Sequence, residues 1–536
     1  MLGRSSSFPA FVSAVVQILL AIIFVCLAGA AYTWNRDSVF FAGNVYFADG
    51  DCYARMTRVQ LVEQSPAVPL RHHEFENFPD GTRPHTTAPM DYLILLLHSL
   101  LVPLTPNAFS VAGAFISPVL GMATALFLVS WSLALRIPFR WAMLFAFALS
   151  PISAHAFEMG RPDHQSLILA LAAVAMAAEV SMARNAGRVW AYVSALAWSL
   201  ALWVSLFEPL ILLGIVLLAR FARQRFAPLP AGKDSATEAH SRERYGPLIT
   251  FFVVIGIALL WEGLPSFAYD PAFGRWAENI GELRAATPML LLGWGGGMVV
   301  GAPAFLALGY ARRKDAAFLI WLVLILVVGG LTLVHARWGY FYVLVLAMSL
   351  PWALAAFRSA AFAGMVFIVS LWPVASAWED ILYPDDVAFR ARVENLADAV
   401  ALRDAAINMK FLSDRGVLAP WWFSPAVVWW SGMPAIGGSS HQSLPGILDS
   451  ARFYLATDPV DAESILRRRK VGYVLAYEPD RVEGNSAQTL GVPVPKESMA
   501  RVIYRSRNSA PDFLEPAYSN RFFRVFKVRE RIPAAR

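Results

Sequence analysis

The sequence predicts a polytopic α-helical membrane protein that carries a C-terminal α/β domain. Three observations predict it: an apolar excess too large for one core, its concentration in helix-length runs, and a more polar tail beyond the last of them. Of 536 residues, 57% are hydrophobic and 16% charged, with 36 Phe and 18 Trp, whereas a soluble domain is nearer half apolar and a quarter charged. The composition excludes a disordered, collagen-like or disulfide-scaffold chain. Cys26 lies in an apolar run and Cys52 outside it, so the two cysteines do not suggest a structural bridge.

A bilayer core of about 30 Å needs roughly 20 apolar residues in a helix. Phe11–Ala31 supplies the first run; it is too long for a signal-peptide core and is followed by many similar runs, so an uncleaved span is expected. Further runs lie near 108–135, 139–156, 166–183, 189–206, 207–222, 247–265, 288–311, 316–334, 340–357 and 360–378. The expected count is about eleven. Arg136 and Arg140, Arg184 and Arg188, the segment Arg220–Arg244 with Lys233, the Arg312-Arg313-Lys314 cluster and Arg358 fall in alternate connections. By the positive-inside rule these connections and the N-terminus are cytoplasmic, and everything after Trp378 is on the outer side. The net charge of +6 is thereby accounted for by topology, which leaves no case for a nucleic-acid partner.

The expected domains are a membrane domain, 1–378, and an extracytoplasmic α/β domain, 379–536. The membrane domain has a long first external loop, 33–91, followed by the surface-lying apolar stretch Tyr92–Leu104, and an external loop 265–288. In the tail, helix is expected over Val393–Leu412 and over Asp461–Arg469 behind an N-cap at Asp458, and strand over Val471–Tyr477.

The outer connections hold the chemistry. The first loop contains Asp49-Gly50-Asp51-Cys52-Tyr53 and the next outer turn Glu158-Met159-Gly160-Arg161-Pro162-Asp163-His164-Gln165. Carboxylates, an amide oxygen and an imidazole suit a divalent cation such as Mg2+ or Mn2+, and such a cation can neutralise a diphosphate leaving group. The plainer alternative makes Asp49 and Asp51 turn caps and Asp163 the cap of the following span.

In their order along the chain these motifs resemble the catalytic subunit of oligosaccharyltransferase, including its single-subunit bacterial and archaeal forms, within the GT-C membrane glycosyltransferases. Asp51-Cys52-Tyr53 is similar to the family's Asp-x-Tyr segment, and Asp163-His164-Gln165 to its second acidic motif, with Gln165 where His, Asp or Glu is usual. Asn279-Ile280-Gly281-Glu282 resembles the family's Thr-Ile-x-Glu, and Arg337 stands at the place of an arginine that contacts the donor phosphate. Trp421-Trp422-Phe423-Ser424-Pro425 resembles Trp-Trp-Asp-Tyr-Gly with its carboxylate replaced by Phe423, a departure that argues against the usual Asn-x-Ser/Thr acceptor. Without the resemblance, Glu282 would read as a solvated acid beside Arg284 and Arg337 as an interface anchor beside Trp338 and Tyr340. Trp429 and Trp430 read as packing for the tail against the membrane domain.

The resemblance implies a GT-C protein of about 11 to 13 spans in a bacterial inner membrane. It would move a sugar or oligosaccharide from a polyprenyl-phosphate-linked donor to an acceptor on the periplasmic or outer face. Asp51, Asp163 and Glu282 would be catalytic, and Asp51, Asp163 and Gln165 would hold Mg2+ or Mn2+. Arg337 would bind the donor phosphate, and Trp421 and Trp422 the acceptor. The acceptor stays open between a protein and a glycolipid, lipopolysaccharide or cell-wall glycan. A lipid-linked sugar transporter or flippase is the rival from another class; it would call for charged or broken helices at mid-membrane, where Glu208-Pro209 is the main exception.

Overall fold

The computed structural model describes residues 8–84, 88–184, 186–226, 245–264, 270–505 and 510–529. Lys233, most of the polar loop near 228–246 and the start of the 265–288 loop lie outside the described residues. The protein is mostly helical. Seven described helices are long and apolar enough to cross a membrane, or eight if a bent pair counts as one span. They include Val15–Tyr32, Ala108–Ala134, His164–Ala183, Tyr245–Glu262 and Ala317–Val334. Arg140–Leu149 and Val189–Val204, also expected as spans, are shorter apolar helices, and Phe207–Phe226 carries Glu208 and Arg220.

Two expected runs are interrupted, each for a local reason. The run 139–156 divides into Arg140–Leu149 and Pro151–Ala156. Ser150 is extended (φ −65°, ψ 124°), the conformation that a following proline imposes by clashing with an α-helical predecessor. The run 288–311 divides into Pro288–Gly295 and Met298–Arg313, bent by 77°. Gly296 at the bend has φ +68°, and a Cβ there would lie 2.2 Å from the Ser370 carbonyl oxygen, so only glycine permits the approach.

The chain divides into two compact units. The first comprises Met1–Asp37, Phe115–Leu260 and Arg284–Pro384; the second comprises Ser38–Ala114, Trp261–Leu283 and Asp385–Arg536. In the first, every residue of Gly339–Leu354 is buried, as a helix apolar all round must be within a bundle. On Tyr245–Glu262, by contrast, Ala258 is the buried residue, which fits a helix whose apolar side chains face lipid.

The second unit contains the C-terminal segment, the first loop and the 261–283 segment. A small hairpin, β1 (Phe40–Phe41) and β2 (Asn44–Val45), precedes the helix Gly50–Gln64. A four-stranded sheet has the order β3 (Gly416–Leu418), β4 (Val471–Ala476), β6 (Arg524–Val528), β5 (Leu514–Ser519). β3 and β4 are parallel and the other pairs antiparallel. The expected strand is thus β4, fully buried, and the expected tail helices are Asp386–Ile407 and Pro459–Arg468, the latter capped by Asp458 through the Val460 amide. Buried polar bonds tie the first loop into this unit. Arg55 and Arg58 both hold Asp91 at 2.8 Å, Ser440 donates to Glu76, and Arg469 reaches Asn77, Asp80 and Asp449. Trp429 and Trp430 pack on Phe47, Phe109, Tyr46 and Tyr53, so their partners are largely first-loop aromatics.

Candidate functional site

The N-terminus of the helix His164–Ala183 is the centre of the first unit's polar cluster. Asp163 occupies the N-cap position, yet its carboxylate does not cap the helix. It meets the Nδ1 edge of His164 instead, while Ser166 Oγ donates to the Asp163 carbonyl. Burial alone would raise the carboxyl's pKa; the neighbouring His164, Arg161 and Arg337 overcome it and hold Asp163 well below the usual carboxylate range. Asp163 is therefore an anion at any working pH.

Two arginines flank this anion, each fixed by a glutamate. Arg337, on the single turn Ala336–Trp338, donates from Nε to Glu208 Oε1 at 2.7 Å. Glu208 is 2% exposed and accepts from Ser205 on its other oxygen. With its amide oxygen turned toward the guanidinium, Gln165 accepts from Arg337 at 2.7 and 2.9 Å. His164 Nε2 lies 3.5 Å from the same guanidinium. Arg161 donates to Glu158 Oε1 at 2.9 Å and faces His155 Nε2 at 3.1 Å, and the other nitrogen of that ring meets Tyr340 Oη at 2.8 Å. Both guanidiniums are thus pre-oriented, the condition under which an arginine fork binds phosphate oxygens with least ordering cost. Sequence reasoning did not find the Glu208–Arg337 pair or the Glu158–Arg161–His155–Tyr340 chain. A buried acid at a helix start was the available signal, because such an acid requires a partner.

Asp51, Glu282, Trp421 and Trp422 belong to the second unit. Asp49 caps the helix Gly50–Gln64, accepting from the Cys52 amide at 3.0 Å, which leaves the next acid, Asp51, exposed in the first turn. A Cβ at Gly50 would come within 3.3 Å of the Trp422 carbonyl, so the acidic segment runs close past the paired tryptophans. Trp421 donates from Nε1 to Asn485 and packs edge-on against Trp276 at 5.5 Å. Trp276, Leu444, Ile447 and Leu448 form a buried cluster against which Ile280 and Trp421 also pack. Asn279 contacts Thr489, and Glu282, half-buried, follows on the short turn Gly281–Leu283. Phe423 packs edge-on against the stacked pair Tyr477 and Phe523, with ring centroids at 4.9 and 5.3 Å.

The expected metal set was Asp51, Asp163 and Gln165. Among the described residues no three His, Cys, Asp or Glu side chains are grouped to hold a cation. The neighbours of Asp163 are the His164 imidazole and the Arg161 and Arg337 guanidiniums, and the Gln165 oxygen is turned to Arg337. The donors described here do not amount to a fitting cation site.

No family model and no curated protein matches the sequence. Solved structures do match. The Archaeoglobus fulgidus oligosaccharyltransferase in complex with zinc and sulfate aligns with a TM-score of 0.67 and 14% identity, over 88% of this chain and 70% of that one. The archaeal oligosaccharyltransferase AglB from the same organism, in complex with an inhibitory peptide and a dolichol-phosphate, gives 0.64 and 14% over 88% and 70%. ArnT from Cupriavidus metallidurans bound to undecaprenyl phosphate gives 0.52 and 12% over 98% and 99%. The chain has the GT-C fold. It is an integral membrane protein with strands in its C-terminal domain, as the sequence predicted. Within the GT-C fold, Asp163 and Arg337 fall in the bundle unit, and Asp51, Glu282 and the tryptophan pair in the unit that contains the sheet.

Proposed function

We propose that this chain is a membrane glycosyltransferase that moves a sugar or oligosaccharide from a polyprenyl-phosphate-linked donor to an acceptor on the outer face of a bacterial inner membrane. The observation that carries the proposal is the pair of glutamate-anchored arginines, Arg161 and Arg337, beside an ionised Asp163 in a GT-C fold. Arg337 takes the donor phosphate, and Gln165 and Glu208 keep its fork oriented. As the glycosidic C–O bond breaks, negative charge grows on the departing phosphate, and a guanidinium already in place stabilises it without reorganisation. Asp163 holds Arg161 and Arg337 at the site by charge. Asp51 and Glu282 act on the acceptor side, and Trp421 and Trp422 form part of its wall. The neighbours' lipid-phosphate complexes support the choice of donor. The resemblance calls for Mg2+ or Mn2+, but the described donors do not fit one, and charge neutralisation at the phosphate falls to the two guanidiniums.

A glycolipid, lipopolysaccharide or glycan acceptor is favoured over a protein sequon by one feature: Phe423, where the resemblance calls for a carboxylate, packs edge-on against the stacked rings of Tyr477 and Phe523. The test compares lipid extracts and intact protein masses from cells with and without the gene. A glycolipid species that loses one sugar mass in the deletion strain supports this reading; a protein that loses glycan mass reverses the choice of acceptor, and no change in either refutes the transferase.

A further inference from the structure

The interrupted span 139–156 brings one further side chain to the Asp163 cluster. Pro151 forces Ser150 out of the helix, Ser150 Oγ donates to the Trp294 carbonyl at 2.7 Å, and the short helix Pro151–Ala156 carries His155 in its last turn. The His155 ring lies nearly parallel to Tyr340, at 7°, with Nδ1 2.8 Å from Tyr340 Oη. Its Nε2 lies 3.1 Å from Nη2 of Arg161. The Arg161 main chain is fixed separately, because its carbonyl accepts from the Asp163 amide and from Ser117 Oγ. Two side chains then orient the guanidinium, Glu158 at Nε and His155 at Nη2.

We propose that His155 is a positioning residue of the transfer site, a neutral imidazole protonated on Nδ1 that aims Arg161 at the donor phosphate. It rests on the reading of Arg161 as a phosphate ligand. A guanidinium has donors only, so the 3.1 Å contact is a hydrogen bond only where Nε2 bears a lone pair. Neutral imidazole carries one N–H; here that N–H is on Nδ1 and donates to Tyr340 Oη. A proton on Nε2, in the other tautomer or in imidazolium, would set two donors against each other at Arg161. Histidine suits this place better than a second carboxylate. Glu158 already supplies one negative charge to Arg161, and another would repel the donor phosphate, whereas a neutral acceptor orients the fork without adding charge. The His155 side chain is 43% exposed, so a substitution there removes hydrogen bonds more than packing.

Two measurements test this role. Magic-angle-spinning NMR of the full chain, labelled with 15N-histidine and held in bilayers at about pH 8, where histidine is neutral, should show the His155 proton on Nδ1 and a bare Nε2. The His155 signals are assigned by their loss in His155→Gln. Transfer kinetics from a polyprenyl-phosphate-linked sugar to a membrane glycolipid extract then compare two variants. His155→Gln can still accept from Arg161 and donate to Tyr340, and should stay within about threefold of wild type in kcat/KM. His155→Phe keeps a ring but neither nitrogen, and should lose about tenfold, the size of one charge-assisted hydrogen bond. A purely structural role would rank the two the other way, because phenylalanine preserves the ring packing on Tyr340. A proton on Nε2 overturns the proposal whatever the activity, and this readout on the wild type stands if a variant fails to fold. Transfer by the wild type with His155→Phe as active as His155→Gln also overturns it and leaves the transferase standing; no transfer by folded wild type refutes the transferase and this role with it.

Discussion

Replacing Arg337 with lysine separates its charge from its geometry. The guanidinium donates to Glu208 at 2.7 Å and reaches Gln165 at 2.7 and 2.9 Å, and the proposed donor phosphate would take the rest of the fork. A lysine ammonium can still neutralise Glu208, which matters because an uncompensated buried carboxylate costs about 3–5 kcal/mol and would confuse a folding defect with a catalytic one. It cannot also present two parallel N–H groups to phosphate. Loss of one to two charge-assisted bonds, at about 1.5–3 kcal/mol each, corresponds to about 3 kcal/mol and so to roughly a hundredfold loss in kcat/KM. The assay follows labelled sugar leaving a polyprenyl-phosphate-linked donor for a membrane glycolipid extract, with size-exclusion profiles as the folding control. A well-folded Arg337→Lys enzyme within about threefold of wild type would refute the phosphate-binding role. Arg337→Ala should lose activity and also express poorly.

Asp51→Ala should abolish transfer while changing stability by less than about 0.5 kcal/mol, because the side chain is exposed; Asp49→Ala should cost about 1 kcal/mol through the lost cap on Cys52, and chemical denaturation compares the two. Asp163 has a folded pKa below its unfolded value, so the stability it contributes is complete above the unfolded carboxylate pKa of about 3.9 and is lost only as pH falls further. Activity profiles from pH 5 to 8 should then show no limb from Asp163, and Asp163→Asn should lower activity by a similar factor throughout; a wild-type limb removed by Asp163→Asn would contradict the assignment. Phe423→Asp should not create glycosylation of Asn-x-Ser/Thr peptides. It should instead destabilise the sheet-containing unit by about 2–4 kcal/mol, since a carboxylate would be placed against the stacked Tyr477 and Phe523 rings, and peptide glycosylation with unchanged stability would sink that view.

Helices were legible because a 20-residue apolar run has few other uses. The breaks at Ser150–Pro151 and Gly295–Gly297 were not, although the proline and three glycines were in view, because hydropathy along a run carries no direction. At the site, residue types were legible and partnerships were not. Glu208 stood out as an interior acid, but its partner Arg337 is distant in sequence and no local pattern joins them. Gln165 was noticed as a departure from a metal-ligand motif; only the fold turns its oxygen toward Arg337. Similarly, the Trp421-Trp422 pair was visible, whereas the packing of Trp421 on Trp276 depends on a separate loop reaching the same cluster.

Binding of a lipid-linked sugar phosphate by the arginine pair can be measured directly. Purified wild-type chain and the Arg337→Lys variant are incubated with a labelled polyprenyl-phosphate-linked sugar and a membrane glycolipid extract, and the label is followed by chromatography. The wild type should transfer label to an acceptor, and the variant roughly a hundredfold less. Label that remains on the donor with folded wild-type protein, or that moves equally fast with both proteins, would contradict it.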